Sequence, residues 1–597
     1  MCGICAELIL TPNVYKNRIP PSRSPVYESL DKLSHRGPDN KGYWETNYYG
    51  METVLGHTRL SIMNPESGAQ PIVNKFTGVV LTVNGEIYNY EHLSRLYLVL
   101  SESLKSDCDV LTYMFNKHHL SEHPKDKDVI AGKLNSLVGM FAFVMVNESK
   151  PYEWLIARDP IGIIPLYIGY MNERPYSLFV ASEMKALNFC DNIKEFEPGT
   201  YMTNYDDVPQ IYYRNLNNTS VPSIINRLFF NTYDTKSHLL KYDTKSDGHI
   251  KLIYSQIYYC LKYAVKTHLQ YDIKSGCNGV GVLLSGGLDS SIIAALTREI
   301  IGEDTKLHTF SIGLEGSPDL ENARLMAEHI KSNHHEFIFT VEEALNSLED
   351  VIYFTETYDT TTVRASTPMV LLARRIRDLC VTENIELKVV LSGEGADEIF
   401  GGYLYFSKAP NPEELQLELE RKVSLLSYYD CLRANKSMMS AGIELRVPFL
   451  DTEFINYAMS IDPKYKMSNN RIEKELLRES FKHLLPDSIY KRQKEQFSDG
   501  VGYNWIDSIK SYTAAKISEM GQKEYIINKP QTNEQHWYRY LFEKHYPTEA
   551  QIRTVHWDTN SFACSTGKVM EWDASLKVAD PSGRTLSHHN VSLNTNQ

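Results

Sequence analysis

The stretch Gly279-Val280-Gly281-Val282-Leu283-Leu284-Ser285-Gly286-Gly287-Leu288-Asp289-Ser290-Ser291-Ile292-Ile293 reads as a buried strand, a tight Gly-Gly turn and the opening of a helix. Apolar residues from Val280 to Leu284 are bounded by glycine, and Ile292, Ile293, Leu296 and Ile300 share one helical face. The turn between them offers free backbone N–H groups at a helix N-terminus, which is an anion site. Gly286 and Gly287 let a phosphate approach the backbone, and Ser285, Ser290 and Ser291 add hydroxyl donors. No lysine follows the glycines, as a Walker A loop would require. Asp289 sits in the loop instead. A carboxylate beside phosphates calls for a divalent cation between them, so Mg²⁺ with a nucleotide is the expected ligand. The competing reading is a structural glycine turn, which a bare Ser-Gly-Gly would favour.

Working outward, the apolar runs after residue 250 alternate with longer helical patterns. Strands are expected at Gly279 to Leu284, Leu307 to Ile312, Glu336 to Thr340 and Leu387 to Leu391, the layout of a parallel α/β sheet with helical crossovers. Ligands of such sheets bind beyond the strands' carboxyl ends, where Ser285-Gly286-Gly287, Ser311 to Asp319, and Ser392-Gly393-Glu394-Gly395-Ala396-Asp397-Glu398 should meet. Before residue 205, short apolar segments broken by turns predict antiparallel sheets with few helices. The expected division is a first domain over 2–205, a linker with an insertion over 206–255, a nucleotide-binding domain over 256–548 and a partly disordered tail over 549–597.

At 597 residues the chain is too long for one core. Its 42% hydrophobic and 23% charged content is that of a soluble globular protein, and a net charge of −13 argues against nucleic acid or a membrane surface as partner. Nine scattered cysteines without a paired CxxC pattern suit reduced thiols in the cytoplasm. No signal peptide or membrane span is expected.

Cys2 needs its own weighing. Removal of Met1 would leave a thiol beside a free α-amine that titrates near pH 8 and can accept the thiol proton, so one residue supplies nucleophile and base. Alone, a buried cysteine that happens to be second is the simpler reading. Three other segments change the balance. Asn84-Gly85-Glu86 offers a side-chain amide and a glycine N–H, an oxyanion pair. Arg59 in Arg59-Leu60-Ser61-Ile62 fits a carboxylate bidentately, and Asp107 could hold an ammonium. Together they describe an amino-acid pocket beside a thiol, and glutamine is the amino acid whose side-chain amide such a thiol would cleave.

With these residues in view the chain closely resembles the glutamine-hydrolysing asparagine synthetases along essentially its whole length. The matching segments are Met1-Cys2-Gly3-Ile4, His35 to Asp39, Arg59 to Ile62, Val83 to Asn89, Gly139 to Phe143, Ala181 to Leu187, Leu284 to Ser291, Ser392 to Glu398 and Arg446 to Asp451. The resemblance implies an α+β N-terminal domain of the N-terminal-nucleophile amidohydrolase type, followed by an α/β PP-loop domain. It implies ATP and Mg²⁺, the small-molecule substrates aspartate and glutamine, and a chain compatible with a homodimer. It implies that Cys2 attacks glutamine, with Asn84 and Gly85 at the oxyanion and with Arg59, Leu60, Ser61, Ile62, Met63, Glu86 and Asp107 around the substrate. In the second domain it implies that Leu284 and Ile312 flank adenosine, Ser392 and Gly393 approach it, and Ser285, Gly286, Gly287, Asp289 and Ser290 take the pyrophosphate moiety. Asp289 and Asp397 would hold Mg²⁺, Glu394 would lie near an aspartyl intermediate with Arg364 a further candidate, and Lys494 would neutralise phosphate. Residues 11–25 and about 215–255 are longer than the family's usual pattern, Pro160 follows Arg158-Asp159, and Lys105 precedes Ser106 where glycine is usual. The alternatives are another ATP-dependent amidating ligase of the same superfamily and a non-catalytic homologue.

Overall fold

The computed structural model describes residues 1–10, 23–48, 50–62, 68–99, 104–121, 127–213, 247–275, 279–468, 471–493, 500–502, 504–557 and 569–572. Met63 and Lys494, and most of the expected linker and of the expected tail, lie outside them.

Two antiparallel sheets stack in the first part of the chain. One runs, edge to edge, Asn192–Glu195, Tyr167–Met171, Arg174–Ala181, Gly3–Ile9, Met51–Arg59 and Asn40–Tyr48. The other runs Gln210–Ile211, Thr200–Thr203, Lys150–Arg158, Gly139–Asn147, Val79–Ile87 and Ile72–Asn74. Gly3–Ile9 is buried along its whole length, because one face meets the second sheet and the other is covered by the turns Val26–Ser29 and Leu30–Leu33. A strand covered on both faces reads as a continuous apolar run, whereas the edge strand Asn40–Tyr48 is half exposed.

The second part is built on a parallel sheet ordered Asn333–Ile338, Leu307–Gly313, Val280–Leu283, Val389–Leu391, Glu444–Arg446. The chain first builds outward from Val280–Leu283 on one side. It then returns through the helix Thr360–Glu383 to pair Val389–Leu391 on the other side. The order reverses between these two strands, and a crevice opens at their carboxyl ends, at Ser285 and Ser392.

Three details differ from the sequence expectation. The edge strand is Asn333–Ile338 rather than Glu336 to Thr340, because its half-exposed Asn333, His334 and His335 carry no apolar pattern. The strand Glu444–Arg446 is too short and too charged to read as one, yet all three residues are buried. The helix Asp247–Ser275 begins inside the segment read as linker, and the helix Glu549–Thr554, inside the segment read as tail, packs near Asn192–Glu195.

Charge, not only apolar surface, joins the two parts. Glu356 caps the helix Leu348–Thr355 in a left-handed conformation and reaches into the first part. It accepts hydrogen bonds from the backbone N–H groups of Met184 (2.8 Å) and Lys185 (2.7 Å) and from Lys436 Nζ (2.6 Å). Glu183 is fully buried and accepts from Arg36 Nη1 (2.7 Å), with His35 and Lys185 also beside it. Burial alone would push its carboxyl up, but Lys185, His35 and Arg36 outweigh burial and hold it well below the usual range. Removing one partner of such a network strands the others. We therefore expect Glu356→Ala to lower stability by about 3–5 kcal/mol, read as a fall in the denaturant midpoint, while Glu349→Ala on an exposed pair of the same helix shifts it by less than about 1 kcal/mol.

Candidate active site

The strand Gly3–Ile9 starts one residue after Cys2, so sheet pairing fixes that residue deep in the interior, where it is 7% exposed. Cys2 N donates to Asn84 Oδ1 (2.6 Å), its carbonyl accepts from Arg36 Nε (2.9 Å), and its thiol lies 3.9 Å from the Leu60 carbonyl. Burial pushes the thiol pKa up, and the chain's α-ammonium works against that. Asn84 and Gly85 lie in the strand Val79–Ile87. With Oδ1 engaged by Cys2, Asn84 Nδ2 is a buried donor without a hydrogen-bond partner, which suits a transient oxyanion. Gly85 has φ +144, and a Cβ there would lie 2.1 Å from the Met140 carbonyl oxygen, so only glycine fits.

The other expected glutamine residues gather around this point. Arg59 ends the strand Met51–Arg59 and is 8% exposed, with the Asp39 carboxylate and the Cys2 thiol among its neighbours. Leu60, Ser61 and Ile62 follow it in a loop pinned from the second part of the chain. Lys388 Nζ donates to Ser61 O (3.0 Å) and Asp39 Oδ2 (2.6 Å), and Ser61 N donates to the same carboxylate oxygen (2.7 Å). Asp107 Oδ2 accepts from Ile87 N (2.6 Å). Glu86 is buried beside Asp107 and Glu444, and burial followed by these two carboxyls raises its pKa well above the ordinary value. Burial likewise lifts Asp107 to about 6. Arg158 and Asp159, which precede the unexpected Pro160, are structural. Asp159 accepts the N–H groups of Ile161, Gly162, Ile163 and Ile164, and Arg158 binds Glu195 and three carbonyls. Lys105 and Ser106 donate to Asp109 and set the turn that presents Asp107.

At the reversal point of the parallel sheet lies a cavity of about 1060 Å³, counting the space open at its mouth. Leu284, Ser285, Gly287, Asp289, Ser290, Ile312, Ser392, Gly393, Glu394 and Asp397 all line it, and its volume suits a nucleotide. Gly286 does not line it. Its φ is +70 and a Cβ would lie 2.4 Å from Ala323 N, so it lets the turn pass the helix Pro318–His329. Gly393 allows the two loops to meet, since a Cβ there would lie 2.6 Å from Ser290 N. The helix Leu288–Ile301 begins after Gly287 with no side-chain cap, which leaves its first N–H groups to a ligand.

Several lining residues carry no signal in the sequence. Lys474 Nζ bridges Asp289 (2.7 and 2.5 Å) and Asp397 (2.6 Å). Arg433 Nη2 binds Glu394 (2.6 Å) and Asp430 (2.9 Å). Glu473, Arg478 and Arg492 also line the cavity. Arg364 is not among the lining residues and makes a forked pair with Glu534 (2.8 and 2.6 Å). Among the described residues no group of three or more His, Cys, Asp or Glu is arranged to hold a metal, so Asp289 and Asp397 are a two-carboxylate set.

The chain matches two families. The Asparagine synthase family matches residues 256–424 and 407–572, and the Glutamine amidotransferase domain family matches residues 1–227. It is 42% identical to a glutamine-hydrolyzing asparagine synthetase B of Escherichia coli (strain K12), over 95% of this chain and 96% of that protein. It is 40% identical to glutamine-hydrolyzing asparagine synthetase 1 of Lotus japonicus, over 98% of this chain and 93% of that protein. The namesake from Arabidopsis thaliana is 41% identical, with the same two coverages.

The Asp107 carboxyl gives a pH prediction. Its pKa is about 6 when folded and 3.8 when unfolded, so the folded state binds the proton more tightly. The stability this adds is complete below about pH 4 and is lost as pH rises to about 6. Asp107→Asn should flatten the fall in unfolding midpoint across that window, measured by denaturant titration at several pH values.

Proposed function

The chain belongs to the glutamine-hydrolysing asparagine synthetases, and on that premise we propose how its two sites divide the work. It is a carbon–nitrogen ligase that makes asparagine and glutamate from aspartate, glutamine and ATP, with release of AMP and diphosphate.

In the first site, with Met1 removed, the Cys2 α-amine takes the thiol proton and the thiolate attacks the glutamine side-chain amide. Asn84 Nδ2 and the Gly85 N–H hold the oxygen as charge builds on it. Arg59 grips the substrate carboxylate, while Asp107 and Glu86 receive its ammonium, a role that suits two carboxyls otherwise short of positive partners. Leu60, Ser61 and Ile62 close the pocket, in a loop that Lys388 ties to the synthetase sheet. The observation that carries this reading is the buried, unpartnered Nδ2 of Asn84, on the same side chain whose Oδ1 already fixes Cys2.

In the second site the aspartate side-chain carboxylate, a poor electrophile, attacks the α-phosphate of ATP and becomes an acyl-adenylate. Diphosphate leaves toward the Ser285 to Ser290 turn. Ammonia then attacks the acyl carbon and AMP departs. Leu284 and Ile312 supply apolar walls for the adenosine, and Ser392 and Gly393 approach it through the backbone. Asp289 and Asp397, both on the cavity wall, would hold a Mg²⁺, and the ion would neutralise charge on the departing diphosphate. Lys474, which bridges the two carboxylates, is placed to meet phosphate oxygens as well, and Lys494 of the neighbouring segment is proposed to do the same. Arg433 orients Glu394 at the acyl end of the cavity. No helix among the described residues is long and apolar enough to cross a membrane. The seven described cysteines are free thiols, which supports a reducing, cytoplasmic setting.

Cys2→Ala is expected to lower glutamine-dependent asparagine synthesis by at least about four orders of magnitude while synthesis from ammonium chloride continues. Joint loss of both activities would overturn the two-site assignment. Product analysis with aspartate present should find AMP and diphosphate in equal amounts, and ADP in their place would contradict attack at the α-phosphate.

A further inference from the structure

Glu444 is fully buried on the last strand of the parallel sheet, at the boundary between the two sites. One carboxylate oxygen accepts from Arg446 Nε (2.7 Å), and the other is paired with the α-ammonium of Met1. Arg446 extends to Glu86 (3.5 Å) on the glutamine side. On the synthetase side its carbonyl accepts from Ser392 N (2.9 Å), at the wall of the nucleotide cavity. The Met1 side chain continues the same line. Its sulfur accepts from Asn435 Nδ2 (2.8 Å), and Asn435 shares the helix Asp430–Met439 with Arg433, the residue that binds Glu394.

Two independent features mark this place as a cation site. The first is the α-ammonium itself, an R–NH₃⁺ group that stands in for an ammonium ion on a buried carboxylate. The second is an excess of acid: apart from that α-ammonium, Arg446 is the cation beside Glu86 and Glu444, Asp107 adds a third carboxyl, and Glu86 Oε2 is buried without a hydrogen-bond partner. Removal of Met1, which the first half-reaction requires, takes away both the stand-in and the side chain that fills the space toward Asn435.

We propose that in the processed enzyme Glu444 forms an ammonium-binding site, where the nitrogen released at Cys2 is held before it moves to the acyl-adenylate. The proposal rests on the reading of Cys2 as nucleophile. As the C–S bond forms the amide C–N bond breaks, and nitrogen leaves as NH₃ carrying the proton taken from the thiol. With the substrate ammonium in place, the three carboxyls still exceed the guanidinium and that ammonium by one charge, and a buried excess charge keeps a proton in the cluster. Arriving NH₃ takes it up and becomes ammonium on the Glu444 carboxylate. Departing NH₃ returns it, so the nitrogen travels on neutral and nucleophilic. Pairing with a buried carboxylate keeps ammonium from escaping to water, where it would be lost to synthesis.

The test is Glu444→Gln, which keeps the shape of the side chain and an acceptor for Arg446. With glutamine as donor, glutamate release is expected to persist while asparagine formed per glutamate falls at least about fivefold, the lower edge of ordinary coupling between sites. With ammonium chloride as donor, KM for ammonium should rise while kcat is held. Glu444→Asp keeps the charge and should fall between the variant and the parent. An unchanged ratio of asparagine to glutamate would overturn the site, as would loss of glutamate release together with asparagine, or an aspartate variant as defective as the glutamine one. If Glu444→Gln does not fold, Glu444→Asp carries the test alone: a lowered ratio with glutamate release retained supports the site, and the parent's ratio overturns it. Failure of the Cys2 reading would show separately, as glutamate release that survives Cys2→Ala.

Discussion

Charged side chains buried where the antiparallel pair of sheets meets the parallel sheet are the constraint on which the molecule depends. Arg36, Glu183, Lys185, Glu356 and Lys436 are all withdrawn from water, and each finds an oppositely charged partner within the set. Isolated, any one would cost several kcal/mol of lost hydration. Docked, they offset one another and admit one relative placement of the two parts, because charge pairs with hydrogen-bond geometry are directional where apolar contacts are not. The same network reaches the chemistry. Arg36, which neutralises Glu183, also holds the Cys2 carbonyl and donates to Asn435.

A consequence is that neither pocket is complete within its own part of the chain. The loop around Ser61 is tied down by Lys388, and Glu86 is paired with Arg446, both cations coming from the synthetase side. Conversely, the strand Glu444–Arg446 that carries this pairing also forms the edge of the sheet whose reversal opens the nucleotide cavity. Glu444 and Arg446 of one short strand therefore stand between the groups of both half-reactions.

Much of the second site was legible because its chemistry is local. A buried strand, a Gly-Gly turn, an acid and a helix start are consecutive residues, and a helix N-terminus binds anions wherever it occurs. The carboxyl ends of the other strands could be placed over the same crevice from their order alone. Lys474, Arg433 and Arg492 could not be found in this way. Lys474 lies in a left-handed residue ahead of a short helix, with no glycine or repeat around it, and it enters the cavity only because Asp289 and Asp397 attract it. Arg364 erred in the opposite direction. Offered with Glu394 as a candidate for the aspartate, it is instead buried in a forked pair with Glu534, 170 positions later. The role of Gly286 also shifted, from phosphate approach to passage beside a neighbouring helix, since what a missing Cβ makes room for depends on what packs there.

The sequence by itself determined the two chemistries: a thiol near the start of the chain with amide, glycine, arginine and acid segments suited to glutamine, and a phosphate turn followed by a helix in the middle. Such motifs work through short-range geometry that a few neighbouring residues impose. Only the tertiary structure decided how the two sites face one another, which charges are balanced, and which side chains stand between them. Those outcomes depend on groups hundreds of residues apart along the chain, whose energies exist only once water is excluded and their partners are in place.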